Sequence, residues 1–278
     1  LQYDENGLGV LIEYAKSSVP ISLYSLSMGG ATAPVTVAGQ LVVINAEILA
    51  GIALVQAINS GCPVLYGASA SVMDLKTGTL AMGAPERGII MTGVVNLAKR
   101  YGLPSMPAAL NTEASMPGSQ ATFEKIASTL PAVLAGADVI FGGGTFDSAN
   151  TYSCEQLIID DELCGAMLRI ARGFQSTNEH LATDIIQKVG IGGNFLRERH
   201  TMKHVATEHR YPALYKRAKK AEAQWTVDAI GQHDLAVAAK EKAKEIIQKH
   251  KPEPLDISIQ KTINDLVVRA ERQASKKT

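Results

Sequence analysis

Short apolar runs alternate with longer helical patterns over the first two-thirds of the chain. Residues 20–25 (PISLYS), 63–66 (PVLY), 104–108 (PSMPA) and 137–141 (ADVIF) are brief, largely apolar and bounded by Gly or Pro. Runs of this kind predict strands buried on both faces. Residues 8–17, 35–60, 85–101, 120–135 and 155–174 carry apolar positions at helical spacing. Repeated strand-then-helix units of this size predict a parallel sheet with right-handed crossovers. Four strands are half of what a closed (β/α)₈ TIM barrel requires. The expected fold is therefore α/β, an incomplete TIM barrel over residues 1–177. Its other strands would precede this chain or come from a partner, and the start at Leu1 in mid-pattern reads as a fragment or a processed product. A doubly wound dinucleotide fold gains little support, because the turn Gly142-Gly143-Gly144 does not match GxGxxG.

After residue 177 the strands stop. Helical patterns follow at 179–189, 203–222, 236–250 and 257–272, with Pro252 and Pro254 separating the last two. Residues 178–278 are expected to form a helical extension packed on the barrel or on another subunit. The alternating charges of 236–250 read as a solvated face.

Composition narrows the function. The 27 basic and 27 acidic residues cancel, which argues against a general nucleic-acid binder. Three cysteines without regular spacing, Cys62, Cys154 and Cys164, argue against a disulfide scaffold and fit a cytoplasmic location. The longest apolar stretch, residues 41–58, is interrupted by Asn45, Glu47 and Gln56. It reads as a buried helix, not a membrane span.

Several stretches in fixed order resemble the trimethylamine methyltransferase family. They are Met28-Gly29-Gly30-Ala31-Thr32-Ala33-Pro34, the helix around Asn45-Ala46-Glu47, Met116-Pro117-Gly118-Ser119-Gln120 with Glu124-Lys125, and residues 153–162 (SCEQLIIDDE). Residues 190–195 (GIGGNF), 200–204 (HTMKH), Tyr211-Pro212 and 250–254 (HKPEP) complete the series. No single stretch is decisive, but together they span almost the whole chain. The resemblance implies a TIM-barrel enzyme longer than this chain, of which this is the C-terminal part. It also implies transfer of a methyl group from a methylated amine to the cobalt of a separate corrinoid protein, with no cofactor bound tightly and a homo-oligomeric assembly. Family members that use trimethylamine carry pyrrolysine. The matching loop here, residues 110–118 (LNTEASMPG), holds only standard residues, and the pyrrolysine position falls at Ala114 or Ser115. The resemblance thus points to a non-pyrrolysine member acting on a quaternary amine such as glycine betaine. Members of the glycine betaine type carry His at the strand end that matches Phe141-Gly142, where this chain has none.

Such chemistry needs an aromatic and acidic surround for a cation, and a methyl group held toward an open mouth. In a TIM barrel the site lies at the C-terminal strand ends. Glu113 and Ser115 are the candidate catalytic residues, with Glu113 and Glu155 supplying charge or orientation. Tyr66, Phe141 and Tyr152 are candidate walls, and Asn111, Phe146 and Glu155 complete the substrate-binding set. The bland readings stand beside these: Phe141 as barrel core, Glu155 favoured by a helix dipole, Asp147 as a turn residue. His200, His204 and His209 have helical spacing but no HExxH pattern, so no metal is expected. Two other readings remain. One is a TIM-barrel enzyme acting on a phosphorylated small molecule held at Gly142–Gly144, for which no strand-end Lys is seen. The other is a catalytically idle fragment or scaffold.

Overall fold

A computed structural model describes residues 1–215 and 235–275. The chain forms two compact units, Leu1–Ala243 and Lys244–Thr278. The boundary expected near residue 177 lies inside the first.

The first unit is mixed α/β. Helix α1 (Glu5–Lys16) is capped by the Asp4 carboxylate, which accepts the Gly7 amide at 2.7 Å. It leads into strand β1 (Ile21–Ser25), the short strand β2 (Met28–Gly29) and helix α2 (Val37–Ile58). Strand β3 (Val64–Ala68), the hairpin β4 (Ser71–Asp74) and β5 (Thr79–Ala81), and helix α3 (Pro85–Arg100) follow. Then come strand β6 (Ser105–Pro107), helix α4 (Ser119–Leu134), the pair β7 (Thr145–Phe146) and β8 (Thr151–Tyr152), and helix α5 (Cys154–Ala171). Pro85 opens α3 at a position where a missing N–H costs nothing.

The central sheet is parallel, in the order β1-β3-β6, with Ile21 opposite Val64 and Tyr66 opposite Ser105. The strand expected at 137–141 runs beside β6 as a looser fourth member. The amides of Val139 and Phe141 donate to the Ser105 and Pro107 carbonyls, and the Ala109 amide donates to Phe141 O. Regular pairing fails at its start because Asp138 intervenes. Its Oδ2 accepts both the Ser105 amide and hydroxyl at 2.8 Å. The sheet is open. The hairpin β4–β5 and the pairing of β2 with β4 were not expected, since residues 71–81 read as loop.

Alternation along β1 decides where the core sits. Ile21, Leu23 and Ser25 are buried toward the helices, as are Val64, Tyr66 and Ala68 of β3. They pack with Ile44, Ile48 and Val55 of α2 and Ile90, Met91, Val94 and Val95 of α3. Burying an aliphatic side chain of this size stabilises by about 1.5–3 kcal/mol. Helix α2 has the length and apolar composition to cross a membrane, more than residues 41–58 suggested. In the structure, every fourth residue from Gln40 to Ile48 is buried beneath it.

Beyond α5 the chain is helical. The pattern at 179–189 is two short helices, α6 (Asn178–Leu181) and α7 (Thr183–Val189), broken where Ala182 adopts a left-handed conformation (φ 48°). Helix α8 (Arg199–Glu208) stands where 203–222 was expected to be helical, and residues 216–222 lie outside the described residues. Helix α9 (Leu235–Lys249) runs across the division between the units, and α10 (Ile257–Ala274) belongs to the second.

Candidate functional site

The carboxyl ends of β1, β3, β6 and the fourth strand open into loops, and the predicted residues collect unevenly around them. Tyr66 is not among those facing the opening. It sits on the helix-facing side of β3, fully buried, with its hydroxyl donating to Asn45 Oδ1 at 2.9 Å and its ring stacked on Tyr101. Burial holds its hydroxyl well above the ordinary tyrosine range. The opposite face carries Tyr24, which sequence reasoning missed. Tyr24 lies across Gly67, where a Cβ would fall 2.6 Å from the ring, and its hydroxyl donates to Met106 O at 2.6 Å. Phe141 meets Tyr24 edge-to-face, with ring centroids 6.2 Å apart. Both rings are exposed. Burial of the hydroxyl, partly offset by Ser22 and Arg87, pushes Tyr24 up to about 12, so it is a neutral aromatic face. The missed signal was phase: Tyr24 alternates with Ile21 and Leu23, which places it on the other side of the strand.

Two loops build the rest of the site. Residues 109–115 follow β6, and residues 142–152 follow the fourth strand. Asp147 N donates to Ala114 O at 3.0 Å and Ser148 N to Thr112 O at 2.9 Å. The Thr145 hydroxyl lies 3.0 Å from Asn111 Oδ1. Gly142, at φ 119°, passes so close to Ala109 O that a Cβ would fall 2.2 Å from it. Four residues other than Gly hold left-handed backbone here, Leu110 (φ 58°), Asp147 (48°), Ser148 (54°) and Ala149 (72°). Strain of this kind persists only where the surroundings enforce it, and it gathers at functional sites.

Carboxylates order the first loop. Glu124 of α4 accepts the Thr112 hydroxyl at 2.5 Å, the Glu113 amide at 2.8 Å and the Gln120 amide group at 2.8 Å. Burial alone would raise its carboxyl, but these bonds outweigh that and hold it below the ordinary range. Glu113 is exposed and accepts the Gly83 amide at 3.3 Å; Ser115 is exposed beside it in the loop. Asn111 is buried, and Phe146 is buried against Ala114 and Ala121. Tyr152 is exposed and covers Gly144. Glu155 opens α5 and accepts the Ser153 hydroxyl at 2.7 Å. Facing outward are thus Tyr24, Phe141, Glu113, Ser115 and Tyr152, while Asn111 and Phe146 support them from below.

Two buried cations lie beneath this face. Arg87 of α3 donates to the carbonyls of Ala70 and Ala108 at 2.9 Å, which joins the ends of β3 and β6. Desolvation lowers its pKa to about 10. Lys125 of α4 reaches Leu110 O at 2.7 Å and Asp160 of α5 at 2.8 Å. Sequence reasoning found no lysine at a strand end because this one arrives from a helix. The Gly144 amide donates to Asp160 at 2.7 Å, so one of the groups a phosphate would use at this turn is already engaged.

The histidines lie elsewhere. His200 and His204 meet at a tilt with ring centroids 4.4 Å apart and His204 meets His180 at 5.1 Å, whereas His209 faces Tyr211. Among the described residues no group of three His, Cys, Asp or Glu side chains is arranged to hold a metal. His180 and His204 line a cavity of about 300 Å³ with Arg169, Arg172, Phe174 and Lys203. It sits at the C-terminal end of α5, about 20 Å from the loops by the helical rise. Its charges are largely matched, Arg169 with Glu208 and Lys203 with Glu179.

Comparison with known proteins gives a consistent family. Residues 1–275 match the trimethylamine methyltransferase family. The chain is 38% identical to the trimethylamine methyltransferase of Methanosarcina barkeri over 272 residues, covering 98% of this chain and 54% of that protein. It is 35% identical to the trimethylamine methyltransferase of Desulfitobacterium hafniense over 98% of this chain and 54% of that protein. It is 34% identical to the glycine betaine methyltransferase of Desulfitobacterium hafniense over 93% of this chain and 53% of that protein. The chain thus spans about half the length of these relatives.

Proposed function

Because the chain belongs to the trimethylamine methyltransferase family, we propose that it is the C-terminal part of a (β/α)₈-barrel enzyme that moves a methyl group from a quaternary amine to the Co(I) of a corrinoid protein. The observation that carries the proposal is the collection of Tyr24, Phe141, Glu113 and Ser115 at the carboxyl ends of consecutive parallel strands. Sites of barrel enzymes lie at that end. The sheet order follows the chain order without reversal, as in a barrel segment; a doubly wound sheet reverses at its switch point.

The substrate reading rests on the cation. A quaternary nitrogen offers no hydrogen bond, so it is recognised by aromatic faces and nearby negative charge. The Tyr24–Phe141 pair supplies the first and Glu113 the second. Loop 110–118 carries standard residues only, which favours a quaternary amine such as glycine betaine over trimethylamine. Identities of 38% and 34% to the two named activities are too similar to choose between them. In the reaction, the cobalt attacks the methyl carbon and the C–N bond breaks. The electron pair leaves with the neutral tertiary amine, so no general acid is required. The enzyme acts by holding the methyl toward the docked corrinoid. We place this reaction in the cytoplasm and expect a homo-oligomer.

Thermal denaturation of the intact protein with a panel of amines tests the site. A quaternary amine present at a hundred times its Kd should raise stability by about 2.7 kcal/mol. Phe141→Ala and Tyr24→Ala should remove the shift. A rise with trimethylamine and none with any quaternary amine would overturn the substrate reading.

A further inference from the structure

We infer that the buried pair Lys125–Asp160 is a positioning device that locks the two loops of the candidate site into one platform. The inference rests on the proposed methyl-transfer site, but its geometry stands independently. Lys125 and Asp160 are essentially inaccessible to solvent. Lys125 Nζ donates to Asp160 Oδ2 at 2.8 Å and to Leu110 O at 2.7 Å. The same carboxylate oxygen accepts the Gly144 amide at 2.7 Å, and Oδ1 accepts the Gln156 side-chain amide at 2.7 Å. One ion pair therefore grips the first loop at Leu110 and the second at Gly144. The Leu110 amide is held separately, donating to Thr129 Oγ1 at 2.8 Å. Above the pair, the loops bond directly through Asp147–Ala114 and Ser148–Thr112. Lys125 also lies over the Phe146 ring, 5.7 Å from its centroid.

Stability alone does not account for this arrangement. Burying two charges costs desolvation, and apolar side chains of similar volume often do as well or better. Desolvation pulls the Lys125 ammonium down, with Asp160 opposing. An apolar pair could fill the space. It could not satisfy the Gly144 amide, nor bond the carbonyl of Leu110 while that residue stays left-handed at φ 58°. The pair thus fixes the backbone that sets Asn111 and Glu113 on one loop and carries Tyr152 on the other. The adjoining Phe141 is bound through the Ala109 amide.

The double variant Lys125→Met/Asp160→Leu separates packing from positioning. It should be less destabilised than Asp160→Ala, because no charge is stranded and only the Gly144 amide, the Leu110 carbonyl and the Gln156 side chain lose their partners. Hydrogen exchange in peptides covering 110–118 and 142–152 should accelerate at least tenfold, while peptides from α2 and α3 stay unchanged. For methyl transfer, KM for the amine should rise and kcat/KM should fall by roughly 10- to 100-fold, the scale of an ångström misplacement. A structural defect alone would lower kcat through the active fraction and leave KM unmoved. Unchanged loop exchange overturns the inference whatever the activity. Accelerated exchange with a parent that methylates no corrinoid leaves the platform standing and removes the methyl-transfer reading. If the double variant does not fold, Asp160→Asn serves instead, with exchange of the Gly144 amide deciding on the same criterion.

Discussion

The strand-end loops and helix α10 handle their side chains in opposite ways. At the loops, polar groups are buried or half-buried and answered: Lys125 by Asp160, Glu124 by Thr112 and Gln120. On α10, apolar groups are exposed: Ile259, Ile263, Leu266 and Val267 line one face, and no residue of the helix is buried. Both patterns look equally purposeful in sequence. Helical periodicity reports which residues share a face, not whether that face is covered. Buried polar groups are the firmer guide to a site, because each must find a partner and the partners fix geometry.

Substitutions in the two regions should differ in their effects. The largest effect should come from Asp160→Ala, which strands the Lys125 ammonium in the interior. It should cost about 3–5 kcal/mol in denaturant unfolding. Ile48→Ala, in the core between α2 and the sheet, should cost about 2–4 kcal/mol through loss of packing and the cavity left behind. If both lose stability but only Asp160→Ala raises loop exchange at matched distance from the melting temperature, the order of the loops depends on the buried pair and not on global stability.

Glu162→Gln should cost about 2 kcal/mol. Glu162 accepts the amides of Ala213 and Leu214 at 2.8 and 2.9 Å and is paired with Arg210, tying residues 210–214 to α5. Burial raises its carboxyl, but these donors outweigh burial and hold it below the ordinary range. Glu124 behaves likewise. For carboxyls whose folded pKa is depressed, the stabilisation is fully present above the unfolded value of 4.5. It is lost as pH falls through the lower folded value. Melting temperature should therefore fall below pH 4.5, and Glu162→Gln should flatten that slope. The smallest effect is expected from Ile263→Ser on α10, within about 0.5 kcal/mol, since the side chain is exposed and outside the core. A loss of 2 kcal/mol there would show that this face is covered in solution.

Much of the fold was legible from periodicity. Helices α2 to α5 and three parallel strands stand within a few residues of their expected places, because apolar spacing and the Gly and Pro boundaries agree there. The hairpin at 71–81 was not legible, since its β4–β5 pairing depends on contacts that local pattern does not encode. The fourth strand was legible in position but not in regularity, because Asp138 takes the Ser105 donors. In the site, loops 110–118 and 142–148 were readable from their place after strands. Which side chains face outward was not. Tyr66 and Tyr24 differ only in strand phase, and phase sends the first into the core and the second to the opening. The partnership of Lys125 with Asp160 spans 35 residues and two helices, so no local pattern could reveal it.

Methyl transfer itself decides whether these loops form a quaternary-amine site. The intact protein is mixed with a Co(I) corrinoid protein and either glycine betaine or trimethylamine, and methyl-Co(III) formation is followed by absorbance. Methylation is expected with a quaternary amine, reduced at least tenfold by Phe141→Ala, and little with trimethylamine. Methylation from trimethylamine alone, or from no amine with an intact and folded protein, would contradict the quaternary-amine reading.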